Sequence, residues 1–160
     1  MNQNEELIER FYSSFARRDP AGMIACYHPQ VVFSDPVFTE LRGSQAGAMW
    51  QMLCASGRDL RIEFSSIEAD DRQGQAHWEA RYTFSSSGRM VHNIISAKFQ
   101  FENGLIIRHV DHFDFWRWSG QALGISGLLL GWTALVRKRV QANAAARLQA
   151  FTQRQAGAQP

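Results

Sequence analysis

The chain has 160 residues, of which 45% are hydrophobic and 12% aromatic, and it carries a formal charge of +2. This length is typical of one domain with a core of its own and argues against several domains. Two cysteines, Cys26 and Cys54, are too few for a disulfide framework and have no zinc-type spacing. The first ten residues lack the basic and apolar regions of a secretory signal. A cytoplasmic location is therefore expected.

Charge is unevenly distributed along the chain. Residues 115–160 carry a charge of +6 with no acidic residue, which leaves −4 on residues 1–114. Such a basic segment can mark a contact with nucleic acid or with a membrane. It lacks, however, the aromatic-interleaved basic repeats of a nucleic-acid reader. We therefore expect a solvated basic helix face and no nucleic-acid partner.

The first third of the chain predicts three helices and one strand. The first helix is indicated by apolar residues at helical spacing, namely Ile8, Phe11, Tyr12 and Phe15. Asp19 and Pro20 predict the start of a second helix over residues 21–27, because Asp caps helices and Pro fits their first turn. Residues 31–33 form a strand, and a third helix begins near Ser44.

Beyond Gly57 the apolar period changes from helical to alternating. Alternation and turn clusters predict four antiparallel strands, with the third over residues 90–101 and the fourth over 105–116. Asn103-Gly104 between them is a strong hairpin signal. Helices laid on one face of a curved antiparallel sheet make this an α+β chain.

Two further segments follow the last strand. Residues 119–136 are uncharged, but glycines interrupt them and they are too short for a spanning helix, so no transmembrane segment is predicted. Residues 132–151 show apolar residues near helical spacing. We predict a C-terminal helical extension over residues 117–155 that packs on the domain or on a dimer partner, in preference to peripheral membrane contact. Residues 156–160 are expected to be a disordered tail.

The order of these elements resembles that of the nuclear transport factor 2-like superfamily. The resemblance covers residues 5–116 and rests also on Phe33-Ser34-Asp35-Pro36 and on HVDHFDFW at residues 109–116. The superfamily includes ketosteroid isomerases, SnoaL-like polyketide cyclases and limonene-epoxide hydrolases. The resemblance implies a domain over residues 1–116 with a cystatin-like cone that encloses a deep apolar pocket. It also implies a homodimer through the outer sheet face. Independently of the resemblance, we expect the extension to act as a lid over the cone or as a second dimer element, because exposed apolar surface of this extent usually marks a contact.

The ketosteroid isomerases supply one comparison. Asp35 falls where these enzymes keep their general-base aspartate. Their tyrosine donor matches Phe11 and their protonated aspartic acid matches Ala97, and neither residue here can donate a hydrogen bond. Loss of one such donor costs about 10²–10³ in rate. Steroid isomerisation by the mechanism of that family is therefore not expected.

The epoxide hydrolases supply a second comparison. Asp111 takes the place of one of their two catalytic aspartates. The arginine and the other aspartate of their triad match Trp78 and Ala80. That mechanism is also incomplete in this chain.

The resemblance and the strand parity together suggest a site for acid–base chemistry. Side chains two apart on a strand share a face, so His109, Asp111 and Phe113 point one way, which by the resemblance is into the pocket. Asp35 approaches the same pocket. Burial and a second carboxylate both raise the pKa of an acid, which suits proton transfer near neutral pH. We predict Asp35 as base, with Asp111 and His109 as acid or orienting partner, acting on a small apolar molecule.

Structural alternatives for the same residues stay open. A buried Asp–His pair also ties strands together, and the side chain of Asp35 also suits an Asx turn. The chain then would be a non-catalytic ligand-binding or protein-association module. No metal or cofactor is predicted, because the histidines alternate between faces and no nucleotide-binding motif occurs. The predicted pocket wall comprises Tyr12, Phe15, Trp50, Trp78, Asn93 and Phe113.

Overall fold

The computed structural model describes residues 1–158 and divides them into six helices and six strands. The helices are α1 (Gln3–Ala16), α2 (Pro20–Ile24), α3 (Ser44–Ser56), α4 (Phe115–Leu123), α5 (Ile125–Leu130) and α6 (Ala134–Gly157). The strands are β1 (Tyr27–Ser34), β2 (Leu41–Arg42), β3 (Arg61–Ala69), β4 (Gln73–Phe84), β5 (Arg89–Glu102) and β6 (Leu105–His112).

The strands form one curved, unclosed sheet in the order β2-β1-β6-β5-β4-β3. Strands β3 to β6 make the antiparallel meander that the alternating pattern predicts. The β5–β6 turn has positive φ at Asn103 and Gly104 (53° and 75°), which is the hairpin geometry expected of Asn-Gly. The α+β class is confirmed. The sheet is mixed, however, because β1 joins it parallel to β6.

The core lies between the N-terminal helices and the inner face of the sheet. Asn2 caps α1 in a reciprocal pair with Glu5, which satisfies backbone donors at the start of the helix. The predicted stripe of α1 is entirely buried. The largest fully buried side chains include Phe11, Tyr12, Phe15, Phe33, Trp50 and Phe99.

Predicted boundaries are wrong at two places, one for a long-range reason and one for a local reason. Helix α2 ends at Ile24 rather than at residue 27, because Tyr27 pairs with Ile106 and starts β1. The last strand ends at His112 rather than at Trp116. The side chain of Asp114 accepts a hydrogen bond from the backbone N–H of Arg117 and so caps α4.

The C-terminal helices pack on the domain itself. Trp118 and Ala122 of α4 bury against Val91 of β5 in a small second core. Leu148 of α6 joins the main core, and the side-chain amide of Gln141 donates to the carbonyl of Pro36 at 3.0 Å. Helix α6 continues to Gly157, so the tail predicted over residues 156–160 begins as helix, and residues 159–160 lie outside the described residues. Between residues 1 and 158, no helix has both the length and the apolarity to cross a membrane.

Candidate active site

A cavity of about 290 Å³ lies between the inner face of the sheet, α3 and α6. Its wall is mostly apolar and includes Phe15, Met49, Trp50, Leu53, Trp78 and Phe113. Polar and charged side chains also line it, among them Asp35, Tyr82, Asn93, Asp111 and Arg147. Apolar walls with a few convergent polar groups are typical of small-molecule sites.

The parallel pairing of β1 with β6 brings the two aspartates to the same end of the sheet. Ser34, the last residue of β1, lies opposite Val110. The next residue on each chain segment is an aspartate, Asp35 and Asp111, and both line the cavity. The antiparallel meander alone, without the pairing of β1 with β6, would not bring Asp35 close to Asp111.

The carboxyl group of Asp35 uses one oxygen for structure and leaves the other free. Oδ1 accepts hydrogen bonds from the backbone N–H groups of Val37 and Phe38, at 2.7 and 2.6 Å. This is an Asx-type turn, as the residue order Asp-Pro suggested. Oδ2 has no hydrogen-bond partner within residues 1–158 and is available to a molecule in the cavity.

Burial raises the pKa of Asp35 to about 7, against the hydrogen bonds from Phe38 and Val37, which lower it, and the charge of Asp111 adds to the rise. Both the protonated and the ionised forms are therefore populated near neutral pH. A carboxyl group in that range exchanges protons efficiently with a substrate.

Asp111 stands at the end of a buried chain of hydrogen bonds. The indole N–H of Trp50 donates to the Tyr27 hydroxyl oxygen at 2.9 Å, and that hydroxyl lies 2.7 Å from Nδ1 of His109. Nε2 of His109 lies 2.9 Å from Oδ1 of Asp111. The indole N–H of Trp78 donates to the same oxygen at 3.3 Å. The chain fixes the orientation of the Asp111 carboxyl group at the cavity wall.

One protonation pattern satisfies every member of this chain. Burial holds the pKa of Tyr27 well above its usual value, so its hydroxyl is protonated and donates to Nδ1 of His109. The ring then carries its proton on Nε2 and donates to Asp111. This tautomer is assigned from the hydrogen-bond network. His109 is fully buried and does not line the cavity, so it acts on the site through Asp111.

Tyr82 is a cavity residue that the sequence analysis missed. Its hydroxyl oxygen accepts from the indole N–H of Trp118 at 2.9 Å, which leaves the hydroxyl proton free to donate. Burial raises the pKa of Tyr82 and the nearby charge of Asp35 adds to this, while the bond from Trp118 lowers it. The sequence contains a signal for Tyr82 as a cavity residue, because it lies an even number of residues from Trp78 on β4 and therefore points to the same face.

Most predicted site residues meet at this cavity, and two lie behind its wall. Asp35, Asp111, Phe15, Trp50, Trp78, Asn93 and Phe113 line it. Tyr12 and His109 are fully buried behind it. The hydroxyl of Tyr12 is buried and has no hydrogen-bond partner among residues 1–158.

Two further residues at the site were given other roles by the sequence analysis. The helix predicted over residues 21–27 includes Tyr27, so the sequence does not predict its hydrogen bond to His109. The basic segment predicts a solvated face for Arg147, and its side chain is indeed exposed. It also lines the cavity and donates to the hydroxyls of Ser85 and Ser86, at 2.9 and 3.2 Å. No trio of His, Cys, Asp or Glu within residues 1–158 is arranged to hold a metal ion.

Comparison with known proteins identifies the family. The profile of the SnoaL-like domain matches residues 8–109, and the chain therefore belongs to the SnoaL-like domain family, within the nuclear transport factor 2-like superfamily. A search of curated proteins gave no match.

Solved structures agree on the fold. A putative polyketide cyclase from Xanthomonas campestris is similar, with 19% identity and a TM-score of 0.63 over 75% of this chain and 96% of that one. A protein of unknown function from Burkholderia pseudomallei has 21% identity and a TM-score of 0.62 over 71% of this chain and 92% of its own. An LEH-like epoxide hydrolase from M. tuberculosis has 20% identity and a TM-score of 0.59 over 84% and 95%.

Proposed function

We propose that the chain binds a small apolar molecule in the cavity and catalyses cofactor-free acid–base chemistry on it, of the isomerase, cyclase or hydrolase/hydratase type. The observation that carries this proposal is that two carboxyl groups, Asp35 and Asp111, open into one mostly apolar cavity. Carboxyl groups in such surroundings can differ in protonation near neutral pH.

The geometry suggests a role for each group. Oδ2 of Asp35 is the free oxygen and takes a proton from the substrate as general base. Asp111, held in place by His109, orients the substrate or, in its protonated form, donates its own proton to the substrate as general acid. The uncommitted hydroxyl proton of Tyr82 donates a hydrogen bond to an oxygen atom on which negative charge develops.

Two further observations support an enzymatic role. Ala97, where the resemblance implies an acid, lies directly opposite Asp111 on the neighbouring strand, so a carboxyl group is available at almost the same place. Two structural neighbours are named a putative polyketide cyclase and an LEH-like epoxide hydrolase, and both names denote enzymes that act on small molecules.

A second candidate function is non-catalytic ligand binding. Phe11 stands where the resemblance implies a tyrosine donor, and it is fully buried among aromatic rings. A chain that keeps the cavity and lacks that donor would still hold an apolar ligand. Proton transfer in the cavity separates the two candidates.

A nitrobenzisoxazole tests the proposed base directly. Removal of one ring proton from this apolar carbon acid opens the ring and releases a coloured phenolate, so turnover is read by absorbance. We expect saturable turnover that rises with pH through about 7, as Asp35 ionises. Asp35→Asn should lower the rate by about 10²–10⁴.

The control is Asp71→Asn, which removes an exposed carboxyl group on the β3–β4 turn. Its turnover should match that of the wild type. Equal rates for the wild type and Asp35→Asn would rule out Asp35 as base. Binding of the probe without turnover above the solution rate would favour the binding module.

We also propose that the chain forms a homodimer through the outer face of the sheet. Ile94 on that face lies in the central strand β5 and is 42% exposed, so its side chain is available to a partner. Beside it, Glu79 pairs with His92 at 2.7 Å and with His77 at 3.2 Å. An apolar centre with a polar rim is the usual composition of such an interface.

We propose a cytoplasmic location. Cys26 and Cys54 are both free and buried. Free thiols persist in a reducing compartment, which supports this location.

A further inference from the structure

One surface of the C-terminal extension is apolar and exposed. Its six members are each more than half exposed, and we call them the α5 patch: Ile125, Leu128, Leu129, Leu130, Trp132 and Leu135. They lie within a short continuous segment of the chain. Contiguous exposed apolar surface of this kind usually marks a contact site.

Helix α5 packs on the domain through glycines rather than through its large side chains. Gly127 is buried against α4, where a Cβ atom would overlap the backbone carbonyl of Ser119. A Cβ on Gly131 would likewise crowd the side chain of Ser119. The indole N–H of Trp116 donates to the carbonyl of Leu128 at 2.9 Å and fastens the segment. The large apolar side chains therefore point outward and contribute little to holding α5 on the domain.

Positive charge adjoins the patch directly. Arg137, Lys138 and Arg139 follow Leu135 in the first turns of α6, and all three are exposed. Residues 115–160 contain no acidic side chain that could neutralise them. A surface with apolar side chains beside a basic cluster is complementary to a membrane that contains anionic lipids. The apolar side chains insert into the membrane interface, and the basic side chains bind the anionic headgroups.

We propose that the α5 patch docks on the surface of an anionic lipid membrane. Trp132 belongs to the patch and Trp116 lies beside it, and tryptophan favours the level of the headgroups. A second copy of this chain fits the patch less well, because a symmetric contact would bring two basic clusters together without acids to offset them. This proposal does not depend on the proposed reaction.

Vesicle binding tests the proposal. The full chain is mixed with vesicles of phosphatidylcholine and phosphatidylglycerol, and separately with vesicles of phosphatidylcholine alone. Bound protein is measured by flotation, and quenching by brominated lipids reports the depth of tryptophan. We expect binding to the anionic vesicles that falls at high salt, and much weaker binding to the neutral ones.

Two variants separate the apolar and the charged contributions. Leu129→Ser/Trp132→Ser should abolish insertion. Lys138→Gln/Arg139→Gln should weaken binding to anionic vesicles by about 30-fold, because each basic group near an anionic surface strengthens binding by about a factor of five to six. Arg137 is left intact, since its guanidinium packs over the ring of Phe115 at 5.1 Å.

Matched controls come from the rest of the surface. Met90→Ser removes another exposed apolar side chain, and Arg61→Gln/Arg81→Gln removes two exposed charges on the sheet. Both should bind vesicles like the wild type. Equal binding to neutral and anionic vesicles, or equal losses in variants and controls, would overturn the proposal. So would a solution dimer that dissociates in Leu129→Ser/Trp132→Ser, because it would assign the patch to a second copy.

Discussion

Tyr12 carries a hydroxyl group that its surroundings leave unpaired. The residue is fully buried, and its ring stacks on Phe64 at 5.7 Å and lies 5.8 Å from Trp78. In the part of the chain that the structure describes, the hydroxyl oxygen has no hydrogen-bond partner. A buried polar group without a partner costs free energy of folding, because it has given up its bonds to water.

Tyr12→Phe should therefore increase the free energy of unfolding by about 1 kcal/mol. Tyr27→Phe is the matched control, because it removes a hydroxyl that bonds to both Trp50 and His109. That change should lower the free energy of unfolding by about 2–4 kcal/mol, since two buried groups lose their partner. Urea unfolding measures both. If Tyr12→Phe lowered the free energy of unfolding as much as Tyr27→Phe, the Tyr12 hydroxyl would have a hydrogen-bond partner in solution.

Asp35 should make stability depend on pH. Its pKa is about 7 in the folded chain and about 3.9 in an unfolded one. The folded state keeps a proton across this window that the unfolded state has released, so stability falls as pH rises from about 4 to 7.

The expected loss is about 2 kcal/mol after allowance for the solvent that reaches the half-buried side chain. Asp35→Asn should remove this pH dependence, because its amide does not titrate. Unfolding in urea at about pH 4 and pH 8 measures it for the wild type, for Asp35→Asn and for the surface control Asp71→Asn. The same slope in all three would place the Asp35 carboxyl group in solvent.

At the scale of elements, α6 closes the cavity from outside the sheet. Val140, Ala144 and Arg147 line the cavity from this helix. Gln141 fastens the helix to the loop that follows Asp35, through the carbonyl of Pro36. The size of the ligand that fits therefore depends on side chains of α6 as well as on the sheet.

Ala144→Phe should fill the cavity and abolish binding of the nitrobenzisoxazole probe. The neighbouring Ala145 is exposed and does not line the cavity, so Ala145→Phe is the matched control and should bind normally. Quenching of tryptophan fluorescence measures binding, and thermal unfolding confirms that both variants fold. Unchanged binding in Ala144→Phe would mean that the probe binds elsewhere.

The sequence predicts local elements well and long-range pairing poorly. Alternation identifies the four strands of the meander, because those strands have one buried and one exposed face. No local pattern reveals the parallel pairing of β1 with β6, which joins distant parts of the chain. Tyr27 was assigned to a helix for the same reason, since its strand partner Ile106 is far away in sequence.

The candidate site shows a related limit. Strand parity gives the face of a side chain, and it directs Asp111 and Phe113 to the cavity. Parity says nothing about depth, so it does not separate His109, which is buried behind the wall, from Asp111, which lines it. Depth depends on the neighbouring rings and on the curvature of the sheet.

At the scale of the whole molecule, the proposed dimer depends on the outer face of the sheet. Ile94→Arg should yield a monomer of unchanged fold, because a charge at the centre of the interface would lose its water. Sedimentation velocity measures whether the chain is a monomer or a dimer. Ile125→Arg on the α5 patch is the matched control and should remain dimeric. A wild-type chain that is monomeric at micromolar concentration would contradict the dimer.

The pairing of β1 with β6 also has a consequence during synthesis of the chain. Val32 pairs with Arg108, so β1 cannot pair with β6 until nearly the whole domain has left the ribosome. Asp35 and Asp111 cannot meet before that moment. A nascent chain thus carries the apolar strands of the cavity without its acid–base pair, and long-range pairing of this kind forms slowly. We expect any ligand of the cavity to bind and stabilise the completed domain. It should not bind the intermediates that exist before β1 and β6 pair.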